Sequence, residues 1–403
     1  MLAIMATTSA AVLPSGVFLT RGSEIQKIPA RAAAGARALA PLASAKLRAS
    51  PRLPALSTPF IWSFKPAAAP TVGLQSESRQ ISCAVAAEPP PKESAAELSS
   101  YESLQVPFSD VVVQQKRPYF VNREYTARDW NYMVNLALYH GLCLFAPATF
   151  SWENFGLFFS LYVITGLFGI TLSYHRNLAH RAFTLPKWLE YTFAYLGVLA
   201  IQGHPKEWVS AHRYHHRFVD TPGDPHSPCD GFWHSHMGWV FDEAFTQQRV
   251  GARDNIADME NDPFYDFIEA TYHWHTVGSV ALLYALGGFP WVVWGFGVRS
   301  VVVLHITGLV NSAGHIWGYQ SWNTGDHSRN NWWVGLLAFG EGWHNNHHAF
   351  QYSCRHGLDA HEVDVTWYII KLLEAAGLAT NLKYPHDKDV KRLSFPDQPA
   401  SQQ

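Results

Sequence analysis

Between Phe155 and His180 the chain reads FGLFFSLYVITGLFGITLSYHRNLAH, an uncharged run to Tyr174 followed at once by His175 and His180. An apolar run of roughly 20 residues is what a helix needs to cross the hydrocarbon core of a bilayer. On an ideal α-helix two residues five apart point about 140° away from each other. His175 and His180 can therefore share a site only if the helix ends or bends there. A helix leaving a membrane does that.

Two further clusters follow: H-R-Y-H-H, His212 to His216, and H-N-N-H-H, His344 to His348. Positions i, i+3 and i+4 fall on one helix face. The spacing therefore predicts that His212, His215 and His216 aim at one point, and that His344, His347 and His348 do the same. Neutral imidazole suits iron, zinc, copper and nickel. A lone histidine is more often a satisfied core or surface residue, but packing this many imidazoles together has no structural reward of its own. Eight ligands are too many for one ion, so the spacing predicts a two-metal site. Cys83, Cys143, Cys229 and Cys354 are scattered without a C-x-x-C pair, which argues against a thiolate site or a disulfide framework. A carboxylate-ligated di-iron bundle needs two E-x-x-H motifs. Only Glu341 to His344 supplies one, embedded in the third cluster. An all-histidine centre remains.

Three more apolar segments run over residues 132–150, 276–289 and 291–310, the last two separated by Pro290. Trp130, Trp152, Tyr174 and Trp291 lie near segment ends, where amphipathic rings favour the membrane interface. Arg299 falls inside the last segment and is expected to snorkel to the interface. Residues 189–202 are apolar but short, as in an interfacial or re-entrant piece. An even number of crossings puts the three histidine clusters on one membrane face. The fold expected is an all-α membrane protein, with four transmembrane helices in two hairpins. A helical cap from residues 205–272 and 315–384 holds the metal site.

The first residues read differently. From Met1 to Gln75 the only acidic residue is Glu24, against eight Lys and Arg among many Ala, Ser, Leu and Pro. This is the composition of an organellar transit peptide, and its length, Pro and hydroxyl content point to a plastid. Residues 1–86 are read as that peptide, 87–118 as an acidic, Pro-rich linker, 119–384 as the catalytic domain and 385–403 as a polar tail, with fraying expected from Lys383 on. The net charge of −2, without a Lys/Arg run, gives no nucleic-acid partner.

The three boxes, their order around two hairpins, and Asn311-Ser312-Ala313-Gly314-His315 resemble the membrane fatty-acyl desaturases of the stearoyl-CoA desaturase type. Asp224-Pro225-His226, Ser235-His236-Met237-Gly238-Trp239 and Gly342-Trp343 agree with that resemblance, which spans residues 119–382. With the leader, the chain is similar to the plant branch acting on chloroplast lipids, in particular palmitoyl-monogalactosyldiacylglycerol Δ7 desaturases. The resemblance implies two iron ions held by His175, His180, His212, His215, His216, His315, His344, His347 and His348. It also implies that Asn311, one helical turn before His315, holds a metal-bound water. The residues between ligands, such as Asn177-Leu178-Ala179, differ from the animal pattern.

The activity implied is dioxygen-dependent introduction of a cis double bond into an acyl chain of a membrane lipid, in a multi-pass chloroplast membrane protein. Neither an H-P-G-G haem motif nor a G-x-G-x-x-G nucleotide fold is present, so electrons come from another protein. A plastid address makes that donor ferredoxin. Alternatives are a Δ9 acyl-CoA or acyl-lipid desaturase, a di-iron hydroxylase and, in another class, a membrane metal carrier. A carrier would place ligands at the bilayer midplane or in loops. The body lacks an obvious Lys/Arg cluster for the phosphates of CoA, which favours acyl-lipid. His234, His236, His273 and His275 are read as tunnel or surface residues.

Overall fold

The computed structural model describes residues 123–251 and 253–395. The expected transit peptide and linker lie outside the described residues. Twelve α-helices follow one another there, joined in places by 3-10 or π-wound pieces, with three isolated bridges as the only strand-like pairings among the described residues. The all-helical expectation holds.

α1 (Ala127–Cys143) starts at a capping box: Thr126 Oγ1 accepts from Asp129 N, and the Asp129 carboxylate accepts from Thr126 N. The buried Asp129 also accepts from Glu243 N of α6, tying the head of α1 to the cap. The apolar segment read as 132–150 thus begins earlier as a helix and ends at Cys143. Pro147 then opens a short 3-10 turn. α2 (Trp152–Tyr162), capped by Ser151, runs without a break into a π-wound stretch, Val163–Ala179.

α3 (Lys187–Val198) crosses that stretch at very close range. A Cβ on Gly169 would lie 2.6 Å from Gly197 N, and one on Gly197 would run into the Tyr174 ring. Two glycines let the backbones meet, as small residues do where helices cross in membranes. The short apolar piece at 189–202 is therefore mainly a helix packed on the π-wound stretch, where Leu189 and Phe193 are buried with Leu172, Phe183 and Ile370.

α4 (Pro205–Phe218), α5 (Phe232–His236) and α6 (Glu243–Val250) build one side of the cap. α7 (Pro263–Trp291) is interrupted at Gly288, whose φ of 67° and ψ of −158° are non-helical. The chain doubles back there through a π-wound turn, Val292–Val298, into α8 (Arg299–Asn311). A Cβ on Gly295 would sit 3.0 Å from Leu283 of the incoming arm. Residues 152–179 and 263–315 are each long and apolar enough to cross a membrane. α9 (Trp332–Leu337), α10 (His344–Ala349), α11 (Val365–Ala375) and α12 (Asp387–Leu393) complete the cap.

Two expectations change. Arg299 does not snorkel: it is 3% exposed, and its guanidinium donates to Gly295 O at 3.1 Å and Leu199 O at 2.5 Å. The carbonyl of Leu199, just past α3, lacks a helical partner, and a buried arginine supplies one. The C-terminal tail does not fray through residue 393. α12 is anchored by buried Leu393, by Asn323 N donating to Leu393 O, and by Tyr352, whose hydroxyl donates to Asp389 and whose ring stacks on His386. Two apolar residues spaced three apart, Val390 and Leu393, are too weak a pattern to show this in a polar sequence.

Candidate metal centre

Four elements deliver nine imidazoles to one place. The π-wound end of α2 brings His175 and His180, and α4 brings His212, His215 and His216. The turn after α8 brings His315, and α10 brings His344, His347 and His348. The H-x4-H puzzle is solved by the winding. His180 N bonds to His175 O, an i→i+5 step, and the two rings come within 4.8 Å. A helix with that bond pattern returns residues five apart to one face, where an α-helix would separate them.

The nine rings form two groups whose ligand atoms all lie within 4.8 Å of one another. One holds His175, His180, His212, His216 and His347; the other holds His215, His315, His344 and His348. Each H-x-x-H-H helix therefore serves both groups rather than one point. At about 100° per residue, i and i+4 lie about 40° apart, while i+3 falls about 60° to the other side. Hence His212 and His216 turn one way and His215 the other. His344 and His348 pair in the same manner, and His347 crosses to the first group.

Carboxylates stand behind the rings. His175 Nδ1 lies 2.7 Å from Glu341 Oε2, His215 Nδ1 lies 3.0 Å from Asp224, His315 Nδ1 lies 3.1 Å from Asp220 and His348 Nδ1 lies 3.1 Å from Asp326. A neutral imidazole that donates Nδ1–H keeps a lone pair on Nε2. These lone pairs converge: Nε2 of His315 and of His348 lie 3.0 and 3.1 Å from Nε2 of His344, and Nε2 of His175 lies 3.1 Å from Nε2 of His347. His315 and His348 thus have no proton on Nε2 to offer, and the single ring between them cannot satisfy all the lone pairs turned inward. Cations do, so the donor set fits a metal ion in each group.

Protonation favours the same state at six of the nine rings. Burial and neighbouring imidazoles hold His180, His212, His216, His344 and His347 well below the usual histidine range. Burial brings His348 down to about 4 against the pull of Asp326. The carboxylates stay ionised. Burial pushes Glu341 up, but Arg176, His175 and His356 outweigh it and hold it well below its usual value. The same balance keeps Asp220, Asp224 and Asp326 low, set against burial by the imidazoles of His315, His215 and His348 in turn.

The sequence reading missed this outer layer. Arg176, fully buried, reaches Glu341 at 2.9 Å, Asp364 at 2.9 Å and Cys354 O at 2.8 Å. His356 Nδ1 lies 3.0 Å from Glu341 Oε2, the oxygen that faces His175. His226 stacks on His215 with ring centres 4.3 Å apart. The lone E-x-x-H and the Asp224-Pro225-His226 triplet were the available signals, since metal-ligating histidines usually lean on carboxylates. His234 and His236 are buried, His275 bonds Thr271 and Tyr195, and His273 is exposed; none joins either group.

An apolar cavity opens against the groups, lined by Tyr162, Ile170, Trp208, Val303, Val310 and Phe339, with Asn311, His175 and His344 at its polar wall. Trp208 stacks on His212, and both rings line the cavity.

The fatty acid desaturase family model matches residues 150–369. Over 302 residues the chain is 53% identical to the chloroplastic palmitoyl-monogalactosyldiacylglycerol delta-7 desaturase of Arabidopsis thaliana, covering 75% of this chain and 81% of that protein. It is 52% identical to a probable chloroplastic lipid desaturase of the same plant, covering 70% and 78%. It is also 50% identical to an acyl-CoA C20 Delta5-desaturase of Anemone leveillei, covering 73% and 95%.

Proposed function

The chain belongs to the fatty acid desaturase family, and from that premise we propose that it places a cis double bond at carbon seven of palmitoyl chains on chloroplast galactolipid. The observation that carries the chemistry is the pair of imidazole groups beside an apolar cavity. The substrate reading rests on the 53% identity to the delta-7 enzyme, on the plastid-like leader, and on the lack of an obvious basic cluster for CoA.

The proposed centre is two iron ions, held by His175, His180, His212, His216 and His347 on one side and His215, His315, His344 and His348 on the other. When bound, such a pair supplies dioxygen activation and the removal of hydrogen from an unactivated methylene. The residues here supply the setting. Glu341, Asp220, Asp224 and Asp326 fix ring tautomers; Ile170, Trp208, Val303 and Val310 exclude water and align the chain; Asn311 holds a water at the polar wall. The proposed topology is four crossings, α1, α2 with its π-wound end, and the two arms on either side of Gly288, in a chloroplast membrane. Ferredoxin is the proposed electron donor, following from that address.

The test is a lipid-class-resolved fatty-acid profile of a desaturase-poor host expressing the full chain in plastids, with His216→Ala as control. New 16:1 with its double bond at carbon seven, confined to galactolipid and absent from the control, is the expected result. The second reading, acyl-CoA desaturation, is favoured by the Anemone relative and predicts product in CoA pools instead. Metal analysis of the purified chain checks iron and its stoichiometry.

A further inference from the structure

Three histidines outside the metal centre form a line through the helix layer. His140 on α1 brings Nδ1 within 2.7 Å of Leu136 O, one turn back on its own helix. Its Nε2 lies 3.0 Å from Nε2 of His305 on α8. His305 Nδ1 lies 2.9 Å from Nε2 of His236 on α5, and His236 Nδ1 lies 3.1 Å from Ser312 Oγ. The line closes where Ser312 Oγ donates to Gly308 O at 2.7 Å.

Counting protons along it gives a mismatch. Carbonyl oxygens at both ends can only accept, so five contacts need five protons. Each neutral imidazole brings one and the hydroxyl one, which makes four. With Nδ1–H of His140 on Leu136 O, His140 Nε2 must accept. If His305 donates there, its Nδ1 accepts from His236, and His236 Nδ1 then competes with Gly308 O for the single serine proton. If the serine serves Gly308 O, the defect moves to the His140–His305 contact. The neutral line thus always has one unmade hydrogen bond, and one added proton completes it. Moving that proton requires only that each ring pass it from one nitrogen to the other contact.

The surroundings keep such a proton mobile. The electrostatic neighbours of His305 are the other two imidazoles, and His236 lies between the Phe232 face and the Trp233 edge. Among the described residues, no carboxylate acts on His305 or His236 to hold an imidazolium in place. Burial lowers the pKa of His236, so the charged state is transient. The far end is well placed: Ser312 is followed three residues on by His315, whose N–H bonds to Ser312 O, and preceded by Asn311 on the cavity wall. Ser235 Oγ donates to Asn311 O, seating α5 on that turn.

We propose that His140, His305, His236 and Ser312 form a one-proton relay ending at the turn that carries Asn311 and His315. The proposal rests on the desaturase reading, in which dioxygen is reduced to two waters. The acyl chain gives up two hydrogens and gains a C=C bond, the donor protein gives two electrons, and two protons come from solution. The relay carries a proton of that last kind as far as the turn whose Asn311 lines the cavity wall.

Two measurements on the full chain in membranes test it. Hydrogen–deuterium exchange at imidazole C2, read by mass spectrometry without turnover, reports whether the rings titrate together. His236→Gln is expected to change exchange at His140, two links away; unchanged exchange at His140 overturns the relay. In turnover, His305→Gln keeps a hydrogen-bonding side chain but cannot pass a proton. It is expected to lower kcat roughly tenfold or more at unchanged KM and metal content, with a larger solvent isotope effect. Wild-type kcat and isotope effect, with reduced thermal stability alone, reduce the line to a clamp between helices and overturn the proposal. If His305→Gln does not accumulate, Ser312→Ala, which removes only the terminal hydroxyl, gives the same two readings. Absence of desaturated product from the unmodified chain tells instead against the desaturase reading, and the exchange experiment stands apart from that outcome.

Discussion

His175 Nδ1 lies 2.7 Å from Glu341 Oε2, and the neighbouring Arg176 holds the other oxygen of the same carboxylate at 2.9 Å. One helix end therefore supplies both an imidazole of the first group and the cation that keeps its orienting carboxylate charged. Replacing Glu341 with Gln keeps the volume but removes that charge. Metal affinity is expected to fall roughly 10–100-fold, with the helical fold retained. Metal content after dialysis against buffered free iron, alongside circular dichroism, checks it; full retention of metal would remove Glu341 from the orienting role.

Acid should release the centre before it unfolds the carboxylate layer. His348 and His356 are brought down to about 4 by burial, and His226 to about 3, against about 6.5 in the unfolded chain. Between those values the unfolded state binds more protons, so stability falls as pH drops from about 6.5 toward 4. Asp220, Asp224, Asp326 and Glu341 are depressed, so their contribution is intact above about 4 and is lost only below it. Thermal melting of the metal-free chain across pH 7.5 to 4.5 should show a falling Tm, and bound metal should move the fall to lower pH. A flat profile in that window would contradict the buried-neutral assignment.

The cavity should narrow when Gly166 is enlarged. A Cβ there would already lie 3.2 Å from the Phe339 ring, and Phe339 is fixed at φ 56° with its carbonyl accepting both N–H and O–H of Thr366. With a neighbour so constrained, Gly166→Leu places its bulk in the cavity. Selection against the longer of two competing acyl chains should rise roughly tenfold or more, at the scale of about 1–3 kcal/mol per methylene. Product ratios from mixed-chain substrate read this directly, and an unchanged ratio would mean that the chain does not occupy this part of the cavity.

The crossing of α3 on the π-wound stretch should tolerate nothing larger than glycine at residue 169. Gly169→Val sets a side chain against the Gly197 backbone at a distance real Cβ atoms do not adopt. A loss of about 1–3 kcal/mol is expected, read as a lower temperature of irreversible inactivation. Gly156→Ala, where a Cβ meets nothing within 4 Å, serves as the neutral control.

Much of this protein is legible along the chain because its signals are local. The uncharged run before His175 fixes a long apolar helix, Pro290 separates two apolar segments, and the repeated H-x-x-H-H announces metal chemistry by residue type and spacing alone. Eight of the nine candidate ligands could be named because imidazoles in such numbers have no competing structural use; His315 was implied by the family resemblance.

Tertiary structure decided how those imidazoles are shared and what stands behind them. Helical spacing splays His215 from His212 and His216, and packing of α4 between two other elements assigns them to different groups, five rings to one and four to the other. The winding that joins His175 to His180 departs from the α-helix that periodicity assumes. Arg176 and Glu341 meet across 165 residues of sequence, and His140, His305 and His236 come from three separate helices. Such contacts leave no periodic trace in the chain. They arise because a buried polar group must find a partner, and the nearest partner in space is set by the whole fold.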